Sequence, residues 1–169
     1  ERLATSPPQG SDIVFVLADG LSATAVQHHA LPTLAALRPL LPAAWKPGPL
    51  VIAEQGRVAL GDEIGEVLGA RLVVLLIGER PGLSSPDSLG AYLTWGPRAG
   101  RTDAERNCIS NIRPQGLACA EAARRLHWLC AAALRLGYSG VALKDDSGGR
   151  ILEDTAPPTG CLPTGGGSD

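Results

Sequence analysis

Methionine is absent from this 169-residue chain, and aromatic side chains are scarce, with one Phe, two Tyr and three Trp. Because the initiator is missing, we expect a trimmed piece of a longer protein. The net charge of −2 lacks the basic excess that binding to a phosphate backbone requires. No apolar run approaches the roughly 18 residues that a membrane span needs, and the strand-sized run at residues 72–77 is far shorter. These absences predict a soluble chain with no nucleic-acid and no membrane partner.

The common catalytic signatures are missing as well. The sequence contains no GxxxxGK[ST] phosphate loop, no GxSxG nucleophile elbow and no HExxH zinc motif. Its four cysteines show no CxxC pairing, which favours a reduced, intracellular protein. His28 and His29 are adjacent and His127 is alone, so structural or surface roles are commoner for them than metal ligation. The chain therefore predicts no catalytic residue and no metal site of its own.

Strand and helix patterns alternate along the chain. We predict strands at 12–17, 50–54, 72–77 and 91–95, helices at 23–29, 62–68 and 117–136, and a loop or short strand at 107–112. A second helical piece follows the first, with Pro32 in its first turn, and Pro39 and Pro42 terminate it. The run 72–77 is continuously apolar, as is typical of a central strand covered on both faces. This order predicts an α/β fold with a mostly parallel sheet and flanking helices, in a Rossmann-like three-layer arrangement.

Composition also predicts how the chain is divided. Residues 12–144 contain the predicted strands and helices and form one domain. Residues 1–11 are expected to be a flexible N-terminal remnant. Residues 145–169 are rich in Gly, Pro, Asp and Thr and contain too few large apolar side chains to fold alone, which predicts a disordered polar tail.

Three loops follow the first three predicted strands at their carboxyl ends, the edge at which α/β sheets bind ligands. Glycines 20, 56, 78 and 82 would let a bulky ligand approach the backbone there, although turn formation is the commoner reason for such glycines. Isolated residues such as Glu79 and Arg80 more often form a solvated ion pair, and Cys108, with no nearby His, more often only packs. The polar or site-candidate residues of the three loops are Asp19 and Ser22, then Gln55, Arg57 and Val58, then Glu79 and Arg80.

Three longer stretches carry a more specific signal. They read VLADGLSATAV, EQGRVALGDEIGEVLGARLVVLLIGERPGLSSPDSLGAYL and DAERNCISNIRPQG, and they lie between residues 16 and 116. The uncommon strings GDEIGE, GERPGL and NCISNI occur in one order and at characteristic spacing. Together these stretches resemble the small subunit of adenosylcobalamin-dependent ethanolamine ammonia-lyase.

The resemblance implies a role for the chain and for four of its residues. It implies one wall of an adenosylcobalamin site, with the other wall and the substrate pocket supplied by a large subunit built on a β/α barrel. Val58, Glu79 and Cys108 match the family's cobalamin contacts, and Arg57 is a weaker neighbouring candidate. The complex would convert ethanolamine to acetaldehyde and ammonia by a radical mechanism, and we expect no activity from the small subunit alone.

The resemblance also bears on the cofactor's state and on location. No His is preceded by Asp two positions earlier, so the DxHxxG motif is absent and base-on binding is expected. The family's N-terminal region before the first strand is missing here, and a longer polar tail follows the last helix. The expected location is the bacterial cytoplasm, or a bacterial microcompartment where the N-terminal targeting region is present.

Two other interpretations remain open. The predicted topology and loops also suit a stand-alone α/β module that binds a nucleotide or flavin, although the sequence has no phosphate-binding signature. The second alternative is a scaffold subunit whose polar loops contact a partner protein and no small molecule. Retention of cobalamin would disfavour the first, and a Glu79 substitution without effect on cofactor affinity would favour the second.

Overall fold

The computed structural model describes residues 10–80 and 87–147. The predicted remnant before residue 10, residues 81–86 of the GERPGL loop and the predicted tail from residue 148, with Cys161, lie outside the described residues. The strands are β1 (Ile13–Ala18), β2 (Pro47–Ala53), β3 (Leu72–Gly78), β4 (Leu89–Trp95) and β5 (Arg106–Ile112). The α-helices are α1 (Ala23–Ala25), α2 (Leu31–Leu37), α3 (Val58–Val67) and α4 (Cys119–Leu136).

The five strands form one mixed sheet in the order β2-β1-β3-β4-β5. Strands β2, β1 and β3 are parallel, whereas β4 runs antiparallel to both β3 and β5. The prediction of a mostly parallel, Rossmann-like three-layer fold is therefore wrong. A parallel crossover needs a dozen or more residues, usually with a helix, and the short connections after β3 and after β4 contain no α-helix where the structure describes them. These two connections return the chain in the opposite direction instead.

The two faces of the sheet are covered unequally. Alternate residues of β1, β3 and β4 pack against α2 and α4 in the larger core, which includes Leu76, Leu93 and Leu126. On the other face, α3 packs over β1 and β3 through Ile64 and Leu68. This second face stays open beyond α3, where Tyr92 is half-buried and Cys108 is exposed. The fold thus leaves part of one sheet face accessible next to the start of α3.

Several predicted elements differ in detail from those in the structure. Strand β3 is the third of five and is buried along its whole length, which confirms the predicted central strand. Residues 107–112 belong to strand β5. Helix α3 begins four residues earlier than predicted, so Val58 is its first residue and not part of a loop. No helix within the described ranges is long and apolar enough to cross a membrane.

The two helical pieces predicted between residues 23 and 42 form one continuous helical run. Helix α1 passes through a π-helical turn, Val26–Ala30, into α2, and a 3-10 turn, Arg38–Leu40, ends the run. Ser22 caps the start, because its hydroxyl accepts the N–H of Ala25 at 3.3 Å. The run lies on the face of the sheet that contains the larger core.

Candidate functional site

The three strand-end loops meet, as the sequence predicts. The carboxylate of Asp19, after β1, accepts the backbone N–H of Gly56, after β2, at 3.1 Å. The N–H of Leu21 donates to the carbonyl of Gly78 at 3.0 Å, which joins the loops after β1 and β3. Backbone hydrogen bonds, led by the one from Gln55, hold the pKa of Asp19 below its ordinary value. Asp19 therefore holds two loops together as a structural anion.

A cavity of about 410 Å³ opens between these loops and the uncovered part of the sheet. Val58 contributes from the first turn of α3, and Arg57, the N-cap residue of that helix, is exposed beside it. Glu79 and Arg80 contribute from the end of β3. The lining is apolar at its base and charged at its rim. Its residues are Gly20, Leu21, Gly56, Arg57, Val58, Ile77, Gly78, Glu79, Arg80 and Tyr92.

Glu79 is held in one orientation by three neighbours. Its Oε2 accepts the hydroxyl of Ser88 and, at 3.2 Å, the backbone N–H of Asn111. The stem crosses Gly90 so closely that a Cβ on that glycine would lie 2.9 Å from Oε1. Asn111 has a φ of +60° beside an irregularity in the β4–β5 pairing, and this turns its N–H toward Glu79. The carboxylate is fixed before any ligand binds.

Cys108 lies next to this cavity rather than in its lining. It faces Tyr92 across the β4–β5 pair. Desolvation by its neighbours raises the pKa of the Cys108 thiol, and the charge of Glu79 acts in the same direction, against the Tyr92 hydrogen bond. A raised pKa keeps Cys108 a neutral thiol at neutral pH. It suits a packing contact and not a nucleophile.

The remaining predicted residues have more ordinary surroundings. Ser22 caps α1 and belongs to the backbone framework of the first loop. Gln55 adopts a φ of +54° and lines a separate cavity with Asp19. Within the described residues, no ion pair joins Glu79 to Arg80, so the solvated-pair interpretation is not supported there.

A larger, more apolar cavity lies elsewhere, between β1, β2 and α2. It has a volume of about 430 Å³ and is lined by residues such as Phe15, Leu37 and Trp45, with Arg38 as its charged member. Specific small-molecule sites combine an apolar lining with several converging polar groups. The cavity beside Val58 and Glu79 meets that requirement better, because Arg57, Glu79 and Arg80 surround it.

One group of side chains has the composition of a metal site. The ligand atoms of His28, His29 and Asp87 lie within 4.8 Å of one another. His29 is buried, and its Nε2 already lies 3.0 Å from Asp87 Oδ2, an ion pair or hydrogen bond that satisfies both side chains. None of the three lines the cavity beside Val58. Both histidines lie in the π-helical turn, and their ring centroids are 6.0 Å apart.

Sequence reasoning missed Tyr92, Ser88 and Asn111. Tyr92 is one of two tyrosines in the chain and lies inside a predicted strand, where an aromatic residue is ordinarily structural. Successive side chains of a strand point to opposite faces of the sheet. Because Ala91 and Leu93 are buried on one face, Tyr92 lies on the other, and this alternation was the available sequence signal. Ser88 and Asn111 reach Glu79 through strand pairing, which the sequence pattern does not fix.

Comparison with known proteins gives consistent matches. The model of the family described as ethanolamine ammonia-lyase light chain (EutC) matches residues 1–144. The ethanolamine ammonia-lyase small subunit of Azotobacter vinelandii is 61% identical over 139 residues, which cover 82% of this chain and 52% of that relative. The small subunit of Pseudomonas fluorescens strain Pf0-1 is 56% identical over 154 residues, 90% of this chain and 56% of that relative.

A third relative extends the pattern beyond those genera. The small subunit of Ralstonia nicotianae is 56% identical over 151 residues, 89% of this chain and 56% of that relative. The chain thus spans about half the length of the curated relatives it matches. Because the family model covers most of the chain and the cavity lies within the matched residues, this chain belongs to the ethanolamine ammonia-lyase light chain family.

Proposed function

We propose that this chain is the cobalamin-binding part of the small subunit of an adenosylcobalamin-dependent ethanolamine ammonia-lyase. The observation that carries the proposal is the cavity at the carboxyl ends of β1, β2 and β3. Val58, Glu79 and Arg57 line it, and Cys108 adjoins it through Tyr92. The family resemblance predicted these four residues as cobalamin contacts, and they come from three separate parts of the chain.

The cavity's chemistry suits a corrin with amide side arms. Val58 offers an apolar surface, and the Glu79 carboxylate can accept N–H groups from such amides. Gly20, Gly56 and Gly78 also line the cavity, but they pack closely against neighbouring protein atoms, so their role is to bring the loops together. When bound, adenosylcobalamin supplies the radical chemistry that converts ethanolamine to acetaldehyde and ammonia. The described residues of this chain bind and orient the cofactor, and none of the cavity residues needs to transfer a proton.

The cavity is also too shallow to enclose a ligand of cobalamin's size. It lies open to solvent on the uncovered part of the sheet, so this chain can contact only one side of the cofactor. This supports the proposal that a large subunit supplies the opposite wall and the substrate pocket. It also supports the expectation that the small subunit is inactive alone.

The proposal includes base-on binding. None of the three histidines lines the cavity, so the described structure offers no imidazole to replace the cofactor's own base. The test uses cob(II)alamin, the paramagnetic Co(II) form of the cofactor, bound to the complex. Labelling the protein's histidine nitrogens with nitrogen-15 should leave its cobalt paramagnetic-resonance spectrum unchanged. A new splitting from protein nitrogen would reject base-on binding.

We place the complex in the bacterial cytoplasm, and in a microcompartment where an N-terminal targeting region is present. This location rests on the family resemblance alone. A fluorescent fusion of the full-length small subunit should form discrete foci only in cells that make microcompartment shells.

Reconstitution tests the function. The full-length small subunit that contains this sequence is mixed with its large subunit and adenosylcobalamin, and ethanolamine-dependent acetaldehyde release is measured. We expect activity from the complex and none from either subunit alone. Glu79→Gln should weaken cofactor binding by about tenfold or more, because a carboxylate acceptor is lost. Glu63→Gln, on the exposed side of α3 and outside the cavity, is the matched control.

The alternatives give different results. A wild-type complex that forms but takes up no cobalamin would reject the proposal and favour a scaffold subunit. Normal cofactor affinity in Glu79→Gln would remove Glu79 from the site while leaving the subunit assignment intact. Binding of a nucleotide or flavin in place of cobalamin would support a stand-alone module.

A further inference from the structure

Tyr92 occupies the space between the two proposed contacts that lie on different strands. Glu79 follows β3, Cys108 belongs to β5, and Tyr92 lies on β4 between those strands. Tyr92 is paired directly with Cys108 and lines the cavity together with Glu79 and Val58. A ligand broad enough to reach both Glu79 and Cys108 must therefore pass over the Tyr92 ring.

We propose that Tyr92 is a further cofactor-contacting residue whose ring packs against the bound cobalamin, an inference that rests on the proposed function. The ring packs partly against the second core but keeps exposed surface for this contact. Its strand neighbours Ala91 and Leu93 are buried in the larger core, so the Tyr92 side chain projects from the opposite face, where it is only half-buried. Gly90, two residues earlier on the same face, adds no side chain in front of it.

The neighbours of the Tyr92 hydroxyl determine its protonation state. Desolvation raises the pKa of Tyr92 to about 12, and Cys108 and Glu79 act in the same direction. The phenol is therefore neutral under ordinary conditions, and its hydroxyl can both donate and accept hydrogen bonds. An amide arm at the edge of a corrin offers both kinds of partner, while the ring itself offers flat apolar area.

The ring and the hydroxyl make separable contributions. Removal of the ring should cost most of the contact, because aromatic side chains bury large apolar areas. Removal of the hydroxyl alone leaves that area in place and loses one hydrogen bond. Tyr92→Ala and Tyr92→Phe therefore distinguish a packing role from a purely polar role.

The test uses the complex of the full-length small subunit with its large subunit. Adenosylcobalamin is titrated in, and its visible absorbance reports affinity without turnover. We expect Tyr92→Ala to weaken binding by about tenfold or more and Tyr92→Phe by about threefold or less. Tyr92→Leu, which keeps apolar bulk in the strand, provides a second variant if Tyr92→Ala fails to fold, and should weaken binding less than Tyr92→Ala. Tyr138→Phe, at an exposed tyrosine after α4, should match wild type.

The outcomes separate this inference from the proposed function. Absence of cobalamin binding by the wild-type complex would reject both. Tight binding by wild type together with wild-type affinity in the folded Tyr92→Ala or Tyr92→Leu complex would overturn the role of Tyr92 alone. A loss in Tyr92→Phe as large as that in Tyr92→Ala would also overturn it, because the ring would then contribute nothing.

Discussion

Asp62 and Arg106 form the most deeply buried ion pair in the described part of the chain. Arg106 Nε lies 3.0 Å from Asp62 Oδ2, and their side chains are only 6% and 3% exposed. Further bonds from Arg106 reach the carbonyl of Arg101 at 2.7 Å and the carboxylate of Asp103 at 2.8 Å. The pair joins α3, which begins at Val58, to β5, which contains Cys108. It thereby fixes the helix that begins the cavity wall at Val58 relative to the strand that carries Cys108 beside the cavity.

Breaking this pair from one side should be costly. We expect Arg106→Met to lower the free energy of unfolding by about 3–5 kcal/mol, because it leaves the Asp62 charge buried without a partner. The measurement is urea unfolding followed by circular dichroism. Arg124→Met, which breaks an exposed pair with Glu121, is the control and should cost less than about 1 kcal/mol.

The double variant Asp62→Leu/Arg106→Met extends the test. Removing both charges avoids the unpaired carboxylate, so this variant should be more stable than Arg106→Met alone. Equal losses in the single and double variants would show that packing of the Arg106 stem, rather than its charge, is what matters.

Glu105 should make stability depend on pH in the acid range. Hydrogen bonds from the Thr102 backbone, Arg101 and the Thr102 hydroxyl lower the pKa of Glu105 from 4.5 to about 2. A lowered pKa gives stability that is fully present above pH 4.5 and is lost as the pH falls toward 2. The stability difference between wild type and Glu105→Gln, measured by urea unfolding, should therefore shrink over this range. A difference that stays constant with pH would contradict the assignment.

At the scale of elements, the loops after β1 and β3 interlock through two glycines. A Cβ on Gly20 would lie 2.4 Å from the Gly78 carbonyl oxygen and 2.4 Å from Ile77 Cγ1, and Gly20 also has a φ of +57°. This close approach joins the first loop of the cavity to the third. A side chain at this position would separate them.

Gly20→Ala should therefore be more destabilising than a substitution with backbone strain alone. Gly69 has a similar φ of +61°, but a Cβ added there would meet no atom within 4 Å, so Gly69→Ala should cost about 1–2 kcal/mol. Gly20→Ala should add about 1–3 kcal/mol from overpacking. Thermal and urea unfolding of both variants make the comparison. Equal losses would mean that the Gly20 loop shifts without cost.

Strands and helices that are specified by a local sequence pattern were predictable from the sequence. The continuous apolar run indicates β3 as the central strand, and helical spacing framed by Gly137 indicates α4. The direction of β4 was not predictable from periodicity, because it depends on the length of the preceding connection. The start of α3 was not predictable either, because Arg57 caps it by backbone geometry without a side-chain hydrogen bond. The π-helical turn was not predictable either, because hydrophobic periodicity does not distinguish it from a regular helix.

At the scale of the whole molecule, we propose that residues 12–144 are the folding unit. Within the described ranges, Leu143 is the last member of the core, and Asn107 holds its segment through bonds to the carbonyls of Gly140 and Leu143. Ser11, at the other boundary, is buried, and its carbonyl accepts the N–H of Arg71. Both ends of the proposed unit are thus tied to the sheet.

Two shortened chains test the boundary. A chain that ends at residue 147 should have the same unfolding free energy as the full chain, because it keeps every described core contact. A chain that ends at Gly137 should lose about 1–3 kcal/mol, since it exposes the site of Leu143 and leaves Asn107 without two acceptors. Destabilisation of the chain ending at residue 147 would place the boundary further along.

The site was only partly predictable at this scale. Convergence of the three loops follows from the parallel arrangement of β2, β1 and β3, which the sequence indicated. The nearness of Cys108 does not follow from it, because it requires β4 and β5 to fold back antiparallel beside β3. Family resemblance nominated Cys108, and strand order explains why it lies next to Tyr92.

The position of β5 has a consequence for biosynthesis. Among the described strands it comes last along the chain and is also the outermost on its side of the sheet, and it carries Cys108 and Asn111 beside the cavity. The ribosome must therefore release all five described strands before Cys108 and Asn111 take their places beside the cavity. Under the proposed function, cobalamin uptake during translation would report that these strands have paired.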